Sequence, residues 1–355
     1  MQNIISEPES ATKTPFISVV ITAYNRREYI LEAVKSVLNQ TLDRSKYEVI
    51  VVKNYIDTVI DDFLRQNQVV NVYTYDISFG AMLACGIEKS RGEVISILDD
   101  DDLFLPIKLE EIFDIFQKNK NVVYARNEIY RNMGPNIEVF RNGELGGIPI
   151  NSHKMDIINV NAIKHISHIY RMIRRYGVNN NSSISFRKNI YESSMEFLND
   201  VNYLLDVFLF FWAIFNGERN DVLVFFESPL SVWRIHDSWT NVSSNSNLEA
   251  FLAKNLRLSS EGVQTYEKFK SIFKSNILLN SYFELAKNAW VTQKKMTEGN
   301  KCRVSETIAV IKVGIYRRDI YILASVPIAL LSSVNPSLAR KLFSVGLKRV
   351  QSYKT

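Results

Sequence analysis

Four consecutive aspartates, Asp99 to Asp102, follow an apolar run in the segment VISILDDDDLFLP. They can form a solvated loop that caps the next helix, because aspartate favours helix N-termini, although four in a row exceed what a cap requires. They can supply a phosphotransferase nucleophile, but that residue usually follows the first strand, which here ends in VVITAYN. They can bind Mg²⁺ or Mn²⁺, which prefer oxygen ligands and are held by carboxylates plus the phosphates of a nucleotide diphosphate. The run alone therefore indicates a metal site or a cap.

The elements around the aspartates alternate between strand and helix. Continuous apolar runs rich in β-branched residues are typical of strands buried on both faces, and amphipathic segments indicate helices. The predicted strands are FISVVIT, YEVIVVK, VVNVYTY, EVISIL and NVVYARNEIYR, and the predicted helices are REYILEAVKSVLNQ, DTVIDDFLRQN, GAMLACGIEKSRG and PIKLEEIFDIFQKN. This order implies an α/β fold with a mostly parallel sheet flanked by helices, in which ligands bind at the carboxyl ends of the strands. The aspartates follow one such end.

The alternation loosens between residues 133 and 178. GPNIEVFRNGELGGIPINS is loop-like, NVNAIKHISHIYRMIRRYG is predicted as a basic helix, and NSSISFRK as a short strand. VNYLLDVFLFFWAIFNG is predicted as an apolar helix, and DVLVFF and LSVWRIH as two short strands. From about residue 247 we expect helices to the end. The expected organisation is a flexible tail at 1–14, an α/β domain at 15–245 and a helical C-terminal extension at 246–355.

The composition limits the class of protein. Hydrophobic residues make up 46% and charged residues 23% of the 355 residues, as in ordinary globular proteins. The net charge of +5 does not argue for nucleic acid as a partner. Cys85 and Cys302 form neither a disulfide framework nor a zinc spacing, which favours a reducing compartment. We expect neither a signal peptide nor a spanning helix, and hence a cytoplasmic protein.

Three motifs, the last of which contains the aspartates, follow one another along the first 110 residues. VVITAYNR carries Thr22, Tyr24 and Asn25 as a Thr-x-Tyr-Asn motif at the end of the first strand, and LEAVKSVLNQT lies in the next helix. LDDDDLFLPIKLE carries an Asp-x-Asp-Asp motif before an apolar segment and a proline. With these motifs the sequence resembles the inverting family 2 glycosyltransferases of GT-A fold over about residues 15 to 240. Each motif is weak alone, but their order and spacing together are specific.

The resemblance implies a nucleotide-sugar site with a bound Mn²⁺ or Mg²⁺. The implied metal ligands are Asp99, Asp101 and His236, with Asp102 in support. Residues 15–130 are implied to bind the nucleotide-sugar and residues 131–245 the acceptor. The implied nucleotide-sugar contacts are Thr22, Tyr24, Asn25, Asn54, Asp99, Asp100, Arg187 and Arg234.

The resemblance also implies a catalytic base at the head of an apolar helix. Asp206 in LLDVFLFFWAIFNG stands eleven residues before Gly217, where the family usually has a Glu-Asp pair, here reduced to one carboxylate. A carboxylate within hydrogen-bond reach of an acceptor hydroxyl takes its proton, and a single displacement then inverts the anomeric centre. The alternative is that Asp206 only caps its helix.

The second strand departs from the family pattern. Lys53 and Asn54 stand where the family has the two aspartates of Asp-Asp-Gly-Ser. Asn54 can still hydrogen-bond a base edge, since its amide both donates and accepts, whereas Lys53 either meets a phosphate or is exposed. The donor is therefore open between UDP- and GDP-sugars. The departures motivate an alternative, a catalytically inactive protein that binds glycans or partner proteins. A nucleotidyltransferase is disfavoured, because TAYNRREYI lacks the glycine-rich phosphate loop.

The C-terminal segment RRDIYILASVPIALLSSVNPSLARKLFSVGLKRVQ pairs apolar runs with basic residues. It indicates either a helical bundle with solvated basic edges or a peripheral membrane anchor, with its apolar face in lipid and its cations at anionic headgroups. An anchor at the cytoplasmic face of a membrane would suit a lipid-linked acceptor. The expected partners are thus a nucleotide-sugar donor and a glycan or lipid-linked acceptor.

Overall fold

The computed structural model of the chain describes residues 5–6, 14–75, 78–132, 154–177, 180–234 and 248–352. The chain divides into two compact units. Met1–Ala162 and Val178–His236 form the first unit, and Ile163–Gly177 and Asp237–Thr355 form the second. The first unit contains the sheet and the four aspartates, so it holds the candidate site.

The first unit is built on a ten-stranded sheet within the described residues. Its strands are β1 Ile5–Ser6, β2 Ile17–Ala23, β3 Tyr47–Lys53, β4 Val70–Tyr73, β5 Val94–Asp99, β6 Leu103–Phe104, β7 Val122–Asn132, β8 Met155–Asn159, β9 Ile184–Arg187 and β10 Val222–Arg234. The strand order is β1-β4-β3-β2-β5-β9-β7-β10-β6, and β8 also pairs with β10. This mixed α/β architecture confirms the predicted fold class.

The helices of both units are numbered along the chain. They are α1 Ile30–Leu38, α2 Thr58–Gln66, α3 Phe79–Lys89, α4 Lys108–Lys118, α5 Ile166–Tyr176, α6 Lys188–Tyr191, α7 Met195–Leu198, α8 Leu205–Asn216, α9 Leu248–Ile272, α10 Ile277–Glu298, α11 Val304–Arg317, α12 Ile320–Ala324, α13 Val326–Val334 and α14 Pro336–Ser352.

The parallel strands β4, β3, β2 and β5 bring their carboxyl ends to one edge of the sheet. Every residue of β2 and β3 is buried, as are the first five residues of β5, whereas β4 is mostly half-buried. In the register, Thr22 pairs with Asp99 and Ala23 pairs with Lys53. The segments that follow β2, β3 and β5, which carry Asn25, Asn54 and the aspartates, therefore begin side by side.

Strand β9 lies antiparallel between β5 and β7, and its register fixes which side chains share a face. Phe186 pairs with both Ile95 and Tyr124. Directly paired residues point to the same face, and side chains alternate along each strand. Asp99 of β5 and Arg126 of β7 consequently lie on the face of Tyr124. The opposite face, which includes Leu98, packs in one apolar cluster with α1, α2 and α4.

Three predicted elements differ from the structure. In their described part, the predicted strands DVLVFF and LSVWRIH belong to the single strand β10, whose register shifts around Pro229, because proline cannot donate a ladder hydrogen bond. The basic helix begins only at Ile166, since the residues before it form β8 and a 3₁₀ turn. Strand β8 is held by non-local antiparallel pairing with β10. The predicted loop GPNIEVFRNGELGGIPINS lies outside the described residues.

The second unit consists of α5 and α9–α14 in its described part, which confirms the predicted helical extension. Aromatic rings of α5, α9, α10 and α11 form its interior: the Tyr170 ring lies 4.7 Å from that of Tyr282 and 5.8 Å from that of Tyr316. Among the helices that the structure describes, none is both long and apolar enough to cross a membrane.

Candidate functional site

The four aspartates form a tight turn at the end of β5. The turn is closed by a hydrogen bond from the Asp102 amide to the Asp99 carbonyl oxygen at 3.1 Å. Asp102 is buried, and its carboxylate accepts hydrogen bonds from Ser182 Oγ at 2.6 Å, Asn180 Nδ2 at 3.0 Å and the Arg234 amide at 3.0 Å. Burial, with Asp101 nearby, raises the pKa of Asp102 to about 7. Asp102 thus ties the turn to β10 and to the 3₁₀ turn Asn181–Ser183.

Three carboxylates of the turn converge. Asp99, Asp101 and Asp102 each place one carboxylate oxygen within 4.8 Å of the others. Asn181 Nδ2 donates to Asp99 Oδ1 at 3.2 Å, and the Oδ1 of the same amide is buried without a hydrogen-bond partner. Burial and the neighbouring aspartates raise the pKa of Asp99. An all-oxygen set with a spare amide oxygen fits a hard divalent cation, so Mn²⁺ or Mg²⁺ fits this turn.

Arg26 makes a close cationic contact with the turn, and the sequence motifs did not single it out. Its Nη2 lies 2.8 Å from Asp101 Oδ2, its Nε donates to Asp100 Oδ2 at 3.2 Å, and its Nη2 also contacts Asp100 Oδ1. Burial raises the pKa of the Asp100 carboxyl to about 6, although Arg26 opposes this rise. Arg26 directly follows the Thr-x-Tyr-Asn motif, and the charge of the aspartate run is the signal that could have identified it. Asp100 points to Arg26 and lies outside the converging set.

Arg234 supports the turn from β10. Its side chain is 2% exposed, its Nε donates to the Asp101 carbonyl oxygen at 3.0 Å, and its Nη2 pairs with Glu32 at 2.5 Å. Its guanidinium also lies 4.5 Å from the centre of the Tyr29 ring. These contacts fix the backbone of the turn, so the structure assigns Arg234 a positioning role beside the predicted site.

The residues after β2 and β3 contact one another. Asn25 has a left-handed φ of +53°. Its backbone N–H donates to Asn54 Oδ1 at 2.8 Å, and the side-chain Nδ2 of Asn54 donates to Asn25 Oδ1 at 3.0 Å. Thr22 is buried beside Asp99, and the Tyr24 ring meets the partly exposed Phe79 ring at 6.0 Å. Thr22 therefore adjoins the first aspartate, and Asn25 and Asn54 join the ends of β2 and β3 beside it.

Lys53 is not exposed, which excludes one of its two sequence interpretations. It is 1% exposed, its Nζ pairs with Asp61 at 2.8 Å, and it donates to the Tyr55 carbonyl oxygen at 2.7 Å. The lysine charge is thus compensated within the protein by α2.

Asp206 lies in the first turn of α8, on the face of the sheet that carries Asp99. The helix begins after Leu204, whose φ is +59°, and Asp206 Oδ1 accepts from the adjacent Val207 amide at 2.8 Å. Burial raises the pKa of Asp206 to about 7, and Arg126 opposes the rise. Leu204 occupies the N-cap position without a side-chain hydrogen bond, and the Asp206 carboxylate accepts a first-turn amide instead, so both the base and the capping interpretation of Asp206 stay open here.

The structure does not bring Arg187 to the turn. Arg187 pairs with Val94 at the start of β5, whereas Asp99 ends that strand. Its guanidinium pairs with Glu93 and donates to the carbonyl oxygens of Val122 and Phe116, each at 3.1 Å. We therefore remove Arg187 from the candidate site. His236 lies outside the described residues.

Comparison with known proteins identifies the family. Residues 18–180 match the family model described as glycosyl transferase family 2. The chain contains a family 2 glycosyltransferase domain. The match includes the aspartate turn and Asn180, whereas Asn181, Asp206 and Arg234 lie beyond it.

Relatives and a solved structure accompany this match. An uncharacterized glycosyltransferase of Haemophilus influenzae is 25% identical over 234 residues, which cover 64% of this chain and 68% of that protein. An uncharacterized glycosyltransferase of Rickettsia typhi is 26% identical over 250 residues, covering 68% and 71%. The crystal structure of S. aureus TarS 1–349 in complex with UDP-GlcNAc is 16% identical, with 95% and 91% covered and a TM-score of 0.48. The family match and the relatives confirm that the chain is a glycosyltransferase.

Proposed function

We propose that this enzyme is a metal-dependent, inverting glycosyltransferase that transfers a sugar from a UDP- or GDP-sugar to a glycan or lipid-linked acceptor. The observation that carries the proposal is the placement of Asp206 on the same face of the sheet as the aspartate turn. From the register, Arg126, which faces Asp206, stands two strands from β5, about 10 Å across the sheet. A sugar nucleotide bound at the turn can span such a distance.

The chain's residues divide the chemistry between donor and acceptor. Asp99 and Asp101 would hold Mn²⁺ or Mg²⁺, which neutralises charge on the departing diphosphate. Asp206 accepts the proton of the acceptor hydroxyl while the acceptor oxygen bonds to the anomeric carbon and the bond to the diphosphate breaks. A base works best when its pKa lies near the working pH, and the pKa of about 7 for Asp206 meets this requirement. One displacement with one base inverts the anomeric centre.

A donor screen tests the metal-dependent part of the proposal. UDP-glucose, UDP-galactose, UDP-GlcNAc and GDP-mannose are incubated with the enzyme and Mn²⁺, and released UDP or GDP is measured. We expect release from at least one donor, its loss with EDTA, and its loss in Asp101→Ala. Asp114→Asn is the matched control, because Asp114 is an exposed carboxylate paired with Lys118. Undiminished release in EDTA would contradict metal dependence.

The second candidate function is binding without catalysis. It is favoured by Lys53 and Asn54, because the first is neutralised by Asp61 and the second is hydrogen-bonded to Asn25. Calorimetry with the same four donors and Mn²⁺ separates the two functions. A donor that binds but is neither hydrolysed nor transferred to any glycan of a broad acceptor panel would favour the inactive binder.

A peripheral membrane contact of the second unit belongs to the same proposal. Its helices expose apolar side chains, of which Ile320 is 70% and Val334 81% exposed, and Arg340 and Lys341 lie nearby in sequence on α14. Such a surface suits anionic lipid at a cytoplasmic membrane face. We expect cosedimentation with phosphatidylglycerol vesicles and weaker binding to phosphatidylcholine, and loss of binding in Ile320→Asp/Val334→Asp. Equal binding to both vesicles would contradict the electrostatic part.

A further inference from the structure

Arg126 is a buried cation with an unused donor. Its side chain is among the buried charged groups, at 4% exposed, and its Nε has no hydrogen-bond partner. A buried charge is costly unless it is paired and hydrogen-bonded. The other buried arginines of the first unit, Arg187 and Arg234, each pair with a glutamate. Arg126 forms no such ion pair: Glu128 and Asp206 act on its charge and raise its pKa against burial, but its Nε remains open to a partner from outside the chain.

The packing of α8 on β7 places Arg126 opposite Asp206. The Tyr124 ring of β7 meets the Phe210 ring of α8 edge-on at 6.0 Å. Asp206 lies one helical turn before Phe210, so the two share a helix face, and Arg126 lies two residues after Tyr124 on the same strand face. From the Tyr124–Phe210 contact, two residues along β7 lead to Arg126 and one turn back along α8 leads to Asp206. The two side chains therefore lie next to each other toward the carboxyl edge of the sheet.

The two charges act on each other without a hydrogen bond between them. Asp206 raises the pKa of Arg126 and Arg126 lowers that of Asp206, in each case against a larger effect of burial. Both also act on the Tyr124 hydroxyl, which is buried and has no hydrogen-bond partner. Two unused donors, the Arg126 Nε–H and the Tyr124 hydroxyl, are thus electrostatic neighbours of the carboxylate proposed as the base.

We propose that Arg126, with the Tyr124 hydroxyl behind it, forms a subsite for an anionic group of the acceptor, next to the hydroxyl that Asp206 deprotonates. A guanidinium recognises carboxylate and phosphate through paired hydrogen bonds. In the proposed function the donor diphosphate binds at the aspartate turn, where Arg26 also lies. We therefore assign the anionic group that Arg126 would bind to the acceptor. The inference rests on the proposed function of Asp206 and adds an acceptor class: a carboxylated or phosphorylated glycan.

The test measures binding of small acceptor fragments to the full chain by calorimetry, with Mn²⁺ and UDP or GDP present. The probes are methyl glucoside, which is neutral, methyl glucuronide, which carries a carboxylate, and glucose 6-phosphate, which carries a phosphate. We expect one charged probe to bind at least about tenfold more tightly than the neutral probe, as a charge-assisted hydrogen bond allows. The probe that wins identifies the anion as carboxylate or phosphate.

Variants assign the preference to Arg126. Arg126→Gln should remove it, Arg126→Lys should retain part of it, and Tyr124→Phe should weaken it. Arg219→Gln is the control, because Arg219 is an exposed arginine of the same unit. Equal binding of all probes by the unsubstituted protein, or a preference that survives in Arg126→Gln, would overturn the subsite. The first of these needs no variant to fold.

The fragment-binding test of the Arg126 subsite can fail or succeed independently of the donor-release test of the proposed function. Fragment binding requires no turnover, so a charged-probe preference can be found or refuted even if no donor is consumed. Conversely, metal-dependent donor release with no charged-probe preference would leave the glycosyltransferase proposal standing and reject the subsite.

Discussion

Replacing Arg26 with glutamine should destabilise the protein in a pH-dependent way. The substitution removes the cation that contacts Asp100 and Asp101. Asp100 is 3% exposed, so water cannot replace the guanidinium. The loss is limited, however, because Asp100 can take up a proton when its partner is gone.

The size of the loss follows from the pKa of Asp100, which is about 6 with Arg26 in place. At pH 7 the folded protein gives up about 1 kcal/mol when this carboxylate is protonated, since the pH then lies about one unit above its pKa. The lost hydrogen bond adds about 1 kcal/mol, so Arg26→Gln should cost about 2 kcal/mol at pH 7. At pH 5 the carboxyl is already largely protonated, and about 1 kcal/mol should remain.

The assay is urea unfolding at pH 5, 7 and 8 in the presence of EDTA, which keeps divalent cations off the turn. The matched control is Arg27→Gln. Arg27 is 50% exposed and reaches Asp57 only at 3.5 Å, so its loss should cost about 0–1 kcal/mol at every pH. The reasoning is refuted if Arg26→Gln costs no more than Arg27→Gln at pH 8, or if its cost does not shrink between pH 8 and pH 5.

Three further predictions concern the buried carboxylates and two glycines. Burial raises the pKa values of Asp102 and Asp206 to about 7, so between about pH 4 and 7 the folded state binds protons that the unfolded chain does not. In the absence of metal, the urea midpoint should therefore be higher at pH 5 than at pH 8. A lower midpoint at pH 5 would contradict these pKa values. A Cβ on Gly80 would lie 2.0 Å from the Leu198 carbonyl oxygen, so Gly80→Ala should cost about 1–3 kcal/mol or more. Gly346→Ala, where a Cβ meets nothing within 4 Å, should instead stabilise α14 by about 1 kcal/mol; urea unfolding measures both glycine variants.

The strands and the position of the aspartates were predictable because their causes are local. The runs ending at Ala23, Lys53 and Asp99 are largely apolar and rich in β-branched residues, which indicates burial on both faces. The strand-helix alternation then places their carboxyl ends at one edge. The Asp-x-Asp spacing needed no tertiary information either, and the structure brings Asp99 and Asp101 together as a candidate metal site.

The roles of the arginines were not predictable because their partners are distant in sequence. Arg187 and Arg234 each stand at the end of a predicted strand, yet Arg187 forms an ion pair with Glu93 and Arg234 forms one with Glu32. The antiparallel insertion of β9 sends Arg187 to the far end of β5, and no local pattern announces this pairing. Arg126 was hidden for the same reason, since only the packing of α8 on β7 shows that it faces Asp206.

The central claim is that Asp206 is the base of an inverting transfer, and the most direct measurement compares Asp206→Asn with the unsubstituted enzyme at saturating donor. A general base contributes about 10²- to 10⁴-fold to the rate. We predict a transfer rate lower by that factor, unchanged affinity for the nucleoside diphosphate with Mn²⁺, and, for the unsubstituted enzyme, a product of inverted anomeric configuration by NMR. A transfer rate within tenfold of the unsubstituted enzyme, or a product that retains the configuration of the donor, would contradict the account.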